Sequence, residues 1–296
     1  MVTPGIAERP ILVRGLSRSG GTLLVTILDS HPDVTMSYEL YPNLLELEDP
    51  TPNGLRKVID RLEPEKGRRF AERIDNSRFR TFLYRLPRGG LGAEDVVGVF
   101  RAHMDEGMGV ATAAERIRLV EHFARWKTNR EGKTRWGLKC LGTYDDYLAV
   151  FPEAAFVNII RDGRDVLAST LTKMKTERTV TQVANGWVST HQRFRDLMDR
   201  PGVTATEVFY EDLVQNPESV IRGLCEALGL AYSSDLLNHS KHAHSIYAAS
   251  HLSLERIQRP IDASSIGRWR RELTTQQLFE FLEIAGDAMR LLGYMQ

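Results

Sequence analysis

Eight residues near the start of the chain, Gly15-Leu16-Ser17-Arg18-Ser19-Gly20-Gly21-Thr22, have the spacing of a phosphate-binding loop. The frame is G-x-x-x-x-G-K-[ST], set between a strand and a helix. Gly15, Gly20 and Thr22 fit it, and Gly21 stands in the lysine's place. Backbone N–H groups at such a loop, together with the positive end of the following helix, still attract an anion. The side chain that grips a γ-phosphate is missing. The loop therefore points away from ATPases and GTPases and toward another phosphate-bearing donor.

A second segment, Ile160-Arg161-Asp162-Gly163-Arg164-Asp165, can hold a further anion. It lies between a buried strand and a helix, at the carboxyl edge of a parallel sheet, where ligands bind. Ser169 and Lys173 are four apart and share a helix face, so Arg161, Ser169 and Lys173 can converge as two cations and a hydroxyl. Asp162 reads as an N-cap, with Gly163 permitting the tight turn. A surface-paired, N-capped helix is the plainer alternative. A Mg²⁺-binding role for Asp162 is disfavoured by Arg161 directly before it and by the missing loop lysine.

The elements that must position these residues follow from the pattern. Pro10-Ile11-Leu12-Val13 reads as a short buried strand, and Thr22 to Leu28 as a helix with Leu23, Leu24, Ile27 and Leu28 along one side. Ser30-His31-Pro32 stops it, because proline bars continuation. Further strands are expected at Thr134–Cys140, Ala155–Ile160 and Val203–Tyr210, and helices at Tyr144–Phe151, Asp165–Thr176, Pro217–Leu228 and about Thr275–Leu292. Strands alternating with helices imply a mostly parallel sheet covered on both sides. From Pro42 to about Lys133 the chain is charged and helical, with Ile117, Val120 and Ala124 on one face of a helix from Arg116 to Lys127. The expected fold is a single P-loop-like α/β domain over 1–296, a three-layer sandwich with a helical insertion at about 42–133.

Charge and composition narrow the class. Lys plus Arg equals Asp plus Glu at 39 each, which gives no electrostatic hint of nucleic acid or a membrane surface. Between Arg56 and Arg88, nine Arg and two Lys face five acidic residues: either a solvated helical face or a mouth that draws in an anion. Cys140 and Cys225 make no disulfide framework and suit a reducing compartment. The N-terminus lacks a signal-peptide pattern, and no apolar run nears the roughly 18 residues of a membrane span. A cytoplasmic protein is expected. The histidines of His239-Ser240-Lys241-His242-Ala243-His244 lack companions at metal-ligand spacing, so no metal is assigned.

Two anion sites suggest a donor with phosphates at both ends. Arg18-Ser19-Gly20-Gly21-Thr22-Leu23-Leu24 followed by Leu28-Asp29-Ser30-His31-Pro32 resembles the 5′-phosphosulfate loop of sulfotransferases that use 3′-phosphoadenosine 5′-phosphosulfate (PAPS). Phe151-Pro152 through Arg161-Asp162-Gly163-Arg164 to Ser169 resembles their 3′-phosphate motif. The likeness covers about residues 10–40, 135–175 and 203–215, more loosely 250–270, and is nearest to the tyrosylprotein and bacterial carbohydrate-type branches. It implies that Arg18, Ser19, Gly20, Gly21, Thr22 and Leu23 hold the 5′-phosphosulfate, and that Arg161 and Ser169 hold the 3′-phosphate with Lys173 as helper. By the same resemblance Lys139 is the catalytic lysine, Tyr210 lies near the nucleotide, and Arg259, before Pro260, reaches it from the segment that closes with Ile266-Gly267-Arg268-Trp269. Gly21 departs from the threonine common there, leaving more to the backbone.

The residue types suit sulfuryl transfer without a metal, because fixed cations such as Lys139 and Arg18 can neutralise the charge that develops on the leaving phosphate. An acceptor hydroxyl or amine needs a base within reach. Glu39, in Ser37-Tyr38-Glu39-Leu40, is the first choice, although it could instead orient the acceptor. His31 competes, against the reading that it closes a helix. The expected activity is PAPS-dependent transfer to a small-molecule, carbohydrate or peptide acceptor. A kinase-like phosphotransferase and a non-catalytic nucleotide sensor are the alternatives.

Overall fold

The computed structural model describes residues 9–37, 39–62, 77–86, 91–173, 178–241 and 254–295. Its strands are β1 (Ile11–Arg14), β2 (Val34–Ser37), β3 (Arg135–Lys139), β4 (Ala155–Ile160) and β5 (Thr204–Phe209). They form one mostly parallel sheet in the order β2-β3-β1-β4-β5, flanked by helices. β2 and β3 run parallel, in register from Val34 opposite Arg135 to Ser37 opposite Leu138.

The helices are α1 (Gly21–Asp29), α2 (Pro52–Leu62), α3 (Ser77–Leu83), α4 (Ala93–Asp105), α5 (Ala113–Arg130), α6 (Tyr144–Val150), α7 (Gly163–Lys173), α8 (Val180–Met198), α9 (Tyr210–Gln215), α10 (Pro217–Leu228), α11 (Leu254–Ile257), α12 (Trp269–Glu272) and α13 (Thr275–Leu291). Every strand and helix expected from the pattern is present within a few residues. β2, α8, α9, α11 and α12 are additions. β2 is only four residues long and follows a helix stop directly, too short for its period to register. α8 is capped by Thr179, whose side chain accepts the Gln182 N–H in a capping box.

The described residues divide into two compact units. Those within 1–12, 25–155 and 233–259 form the first, and those within 13–24, 156–232 and 260–296 the second. In the first unit α2 to α5 fill the region from Pro42 to Lys133. The rings of Phe79, Phe82, Phe100 and Phe123 join α3, α4 and α5, with neighbouring centroids 5.6–6.4 Å apart. In the second unit Trp187 and Phe281 pack with Val166 and Leu167 of α7.

The second of these cores explains Gly163. A Cβ there would lie 2.5 Å from the Phe281 ring and 3.0 Å from that of Trp187, and its φ is not among the positive ones. Gly163 is therefore required by close packing and not, as the sequence suggested, by a tight turn. Asp162 does cap α7: its Oδ1 accepts the Arg164 N–H at 2.9 Å, and its carbonyl accepts that of Val166.

The turn from α1 into β2 is tied by a buried ion pair. Asp29 Oδ1 accepts the Met36 N–H at 2.6 Å and faces Lys127 Nζ of α5 at 3.2 Å. Lys127 also reaches Glu131 Oε1 at 2.6 Å, while Glu131 Oε2 accepts from Thr35 of β2. The Asp29 and Lys127 side chains are 2% and 3% exposed, so neither charge can fall back on water. Removing one partner of such a pair typically costs roughly 3–5 kcal/mol. Lys127→Ala should lower unfolding free energy by that order in a urea titration; a loss of only a few tenths would mean that the pair is not what fixes the turn.

Candidate functional site

In the second unit, Ser19 N–H donates to the Leu16 carbonyl and Leu24 N–H to that of Gly20, so the glycine loop runs directly into the first turn of α1. N–H groups in that turn have no carbonyl partner within the helix. Gly20 has φ +99°, and a Cβ there would stand 2.5 Å from Cδ2 of Tyr210. The backbone at Gly20 thus lies closer to that ring than a side chain there permits.

Arg18 is where the two predicted anion sites meet. Its Nε donates to Ser169 Oγ at 3.0 Å, and its carbonyl accepts from Arg161 Nη1 at 3.1 Å. Its φ is 76°, in the left-handed region that a side chain disfavours. Arg161, 5% exposed, also donates from Nη2 to the Ser265 carbonyl at 2.6 Å and lies over the Tyr210 ring, 4.5 Å from its centroid. Trp187 Nε1 donates to the Arg161 carbonyl. Arg18, Arg161, Ser169 and Tyr210 are therefore one cluster. The Arg18 side chain stands with Ser169, the residue expected at the opposite phosphate.

Two donors in this cluster are buried without a partner: Ser19 Oγ and Arg161 Nε. A buried donor left unpaired costs free energy that a hydrogen bond recovers, so both fit an anionic ligand. Thr22 and Leu23 are half-buried in the first turn of α1. Asp165 is fully buried, and burial pushes its carboxyl up. Its oxygens accept the N–H groups of Gly267 at 2.8 Å and Trp269 at 3.0 Å. The segment Ile266-Gly267-Arg268-Trp269 is thereby fastened to α7, while the Arg268 side chain turns to Thr172 and Glu272. The Lys173 side chain lies outside the described residues.

In the first unit, Lys139 at the end of β3 donates from Nζ to Glu39 Oε1 at 2.9 Å. Glu39, at φ 41°, is also left-handed. Its carbonyl and Oε2 face Arg85 Nη1 at 3.3 and 3.4 Å, and the Arg85 guanidinium lies 4.2 Å above the ring of Tyr41. Burial first, then the Glu39 charge, push the Tyr41 phenol well above its usual value, so it stays neutral. Among the described residues, Arg18 and Glu39 are the non-glycine positions with positive φ. Such strain concentrates at functional sites.

Sequence reasoning missed Arg85 and Tyr41. The one signal was the basic excess from Arg56 to Arg88, which could not tell Arg85 from its neighbours. Within that run Lys57 pairs with Asp49 and Arg78 with Glu46, while residues 63–76 and 87–90 lie outside the described part. His31 is 1% exposed and its Nδ1 accepts the Asp33 N–H at 3.0 Å, a turn-closing role. Arg259 is exposed and pairs with Glu255 one helical turn back. His239 is buried, and His242 and His244 lie outside the described residues.

The Sulfotransferase family model matches residues 10–234, and the chain belongs to that family. The protein-tyrosine sulfotransferase of Drosophila melanogaster is 23% identical over 97% of this chain and 52% of its own length, so the chain spans about half of that relative. The sulfotransferase domain of the Synechococcus PCC 7002 olefin synthase superposes with a TM-score of 0.60 at 20% identity, covering 95% of each chain. Mouse sulfotransferase SULT7A1 complexed with PAP gives 0.50 at 12% identity, over 96% of this chain and 84% of that one. At these identities the structural likeness establishes the fold.

Replacing Gly20 tests the loop directly. Gly20→Ala meets both the positive φ and the Tyr210 ring, a strain on the order of 1–3 kcal/mol. The variant should melt several degrees below the parent in a thermal scan. A parental melting temperature would show that the loop is not pressed against the ring.

Proposed function

We propose that this chain is a PAPS-dependent sulfotransferase acting on an acceptor hydroxyl or amine. The observation that carries the reading is the Arg18–Ser169–Arg161 cluster, with Ser19 Oγ and Arg161 Nε both buried and unpartnered. A glycine loop with no lysine, coupled through one arginine to a second cationic site, suits a nucleotide bearing separate 5′ and 3′ phosphates. It does not suit the triphosphate chain of ATP.

In the second unit the N–H groups of residues 20–23, the Ser19 and Thr22 hydroxyls and Arg18 hold the 5′ end. Arg161 and Ser169 bind the 3′-phosphate, with Lys173 as helper, and Tyr210 supports the nucleotide and the Arg161 guanidinium. Arg259 is proposed to reach the nucleotide from the 254–260 segment. In the first unit Glu39 takes the proton from the acceptor as the new bond to sulfur forms. The sulfur–oxygen bond to the 5′-phosphate breaks with its electron pair on that phosphate, and Lys139 and Arg18 supply the positive charge that stabilises it. PAPS supplies the sulfuryl group. The Lys139–Glu39 ion pair links the two roles: a lysine drawn toward developing negative charge no longer neutralises the carboxylate, whose basicity then rises. The name of the Drosophila relative makes a tyrosine peptide the first acceptor to test.

Calorimetry with 3′-phosphoadenosine 5′-phosphate (PAP) tests the donor site. PAP should bind more tightly than ADP or ATP, with no need for Mg²⁺. A charge-assisted phosphate contact contributes about 1.5–3 kcal/mol, so Arg161→Ala should weaken PAP at least tenfold. Tighter, Mg²⁺-dependent binding of ATP would refute the donor assignment.

The chemical step is tested separately, with radiolabelled PAPS and a panel of tyrosine-peptide, phenol, amine and carbohydrate acceptors. Glu39→Gln should slow turnover roughly 10²–10⁴-fold, the usual span for a lost general base, while PAP affinity stays parental. Lys139→Ala should likewise reduce the single-turnover rate at saturating PAPS. Near-parental turnover in Glu39→Gln, with a folded but inactive His31→Asn, would transfer the role of base to the histidine.

A further inference from the structure

We propose that Arg85 is a positioning residue that holds the Glu39 carboxylate in its working orientation, a role that rests on Glu39 being the base. Glu39 sits at φ 41°, a conformation that persists only where surrounding contacts over-determine it. Arg85 supplies those contacts from 46 residues away in the chain. Its Nη1 lies 3.3 Å from the Glu39 carbonyl and 3.4 Å from Oε2, so one guanidinium grips both the main chain and the side chain. The contact with Oε2 is an ion pair, and that with the carbonyl a long hydrogen bond.

Arg85 is itself well anchored. Its N–H donates to the Phe82 carbonyl at 2.9 Å, and the Phe82 ring sits among Phe79 and Phe123. The guanidinium is stacked on Tyr41, two residues beyond Glu39. A planar, always-charged fork can stack and bond at once, which a lysine ammonium cannot. Lys139 takes the opposite oxygen, Oε1. The carboxylate is therefore held from two sides, and when Lys139 turns to the developing charge, Arg85 still holds Oε2.

Two measurements on the full chain test this. In the first, glutamate is labelled with carbon-13 and the Glu39 carboxyl signal, identified by its loss in Glu39→Gln, is titrated. Charged and titratable described groups that face Glu39 include Lys139, Arg85 and the Tyr41 phenol. Removing a cation favours the protonated carboxyl, so Arg85→Ala should move the midpoint to higher pH. Arg85→Lys, which keeps the charge, should return it most of the way, and Arg85→Gln replaces the alanine variant if that does not fold. An unmoved midpoint overturns the proposal.

The second is single-turnover transfer from labelled PAPS to a tyrosine peptide, or to water if the peptide is not accepted. Arg85→Ala should cut the rate at least tenfold with PAP affinity within twofold of the parent. In a Glu39→Gln background it should cost nothing further, because the two residues act as one unit. An equal loss in both backgrounds overturns the positioning role and leaves the base assignment standing. Parental turnover in Glu39→Gln alone would instead remove the base assignment, and the positioning role with it.

Discussion

The left-handed backbone of Arg18 is the constraint on which the donor cluster depends. A residue with a Cβ does not rest at φ 76° without help. The help comes from Arg161, bonded to the Arg18 carbonyl, and from Ser169, bonded to its Nε. That one peptide gives its carbonyl to Arg161 and its side chain to Ser169 of α7, while the next residues lead into α1. Releasing it would separate the loop from the second cationic site.

The cluster also explains residues whose side chains bear no chemistry. Tyr210 gives a flat surface to the Gly20 backbone and to the Arg161 guanidinium, so its neighbours must be a glycine and a cation. Asp165 spends both oxygens on backbone N–H groups and so fixes a segment about a hundred residues away. Glu211 does the same for the peptide after Arg161: Oε1 accepts the Asp162 N–H and Oε2 the Tyr294 hydroxyl. Burial raises the carboxyls of Asp165 and Glu211, the expected cost of using acids as internal struts.

Glu39 repeats the logic in the first unit. It too is left-handed, and it too is held by an arginine that bonds its carbonyl. In both places an arginine from a distant part of the chain compensates local strain. A short loop can then present a charged side chain in a direction that relaxed backbone would not allow.

Much of this protein was legible in its residues. The glycine spacing at 15–22, the arginine-to-serine step from Arg161 to Ser169 and the alternation of strands with helices identified the fold and the family, and named the candidate residues of two anion sites. These signals survive in one dimension because they rest on local requirements: N–H groups at a helix start, a side-chain period, a turn. Three things were decided only in the tertiary structure. Arg18 pairs with Ser169, 151 positions later in the chain. Gly163 is needed for the rings of Trp187 and Phe281, which arrive from α8 and α13. Arg85 joins Glu39 and Tyr41 because an aromatic core between α3, α4 and α5 brings the end of α3 to that loop. Each depends on contacts between residues tens to hundreds of positions apart, and no spacing within a short window encodes such contacts.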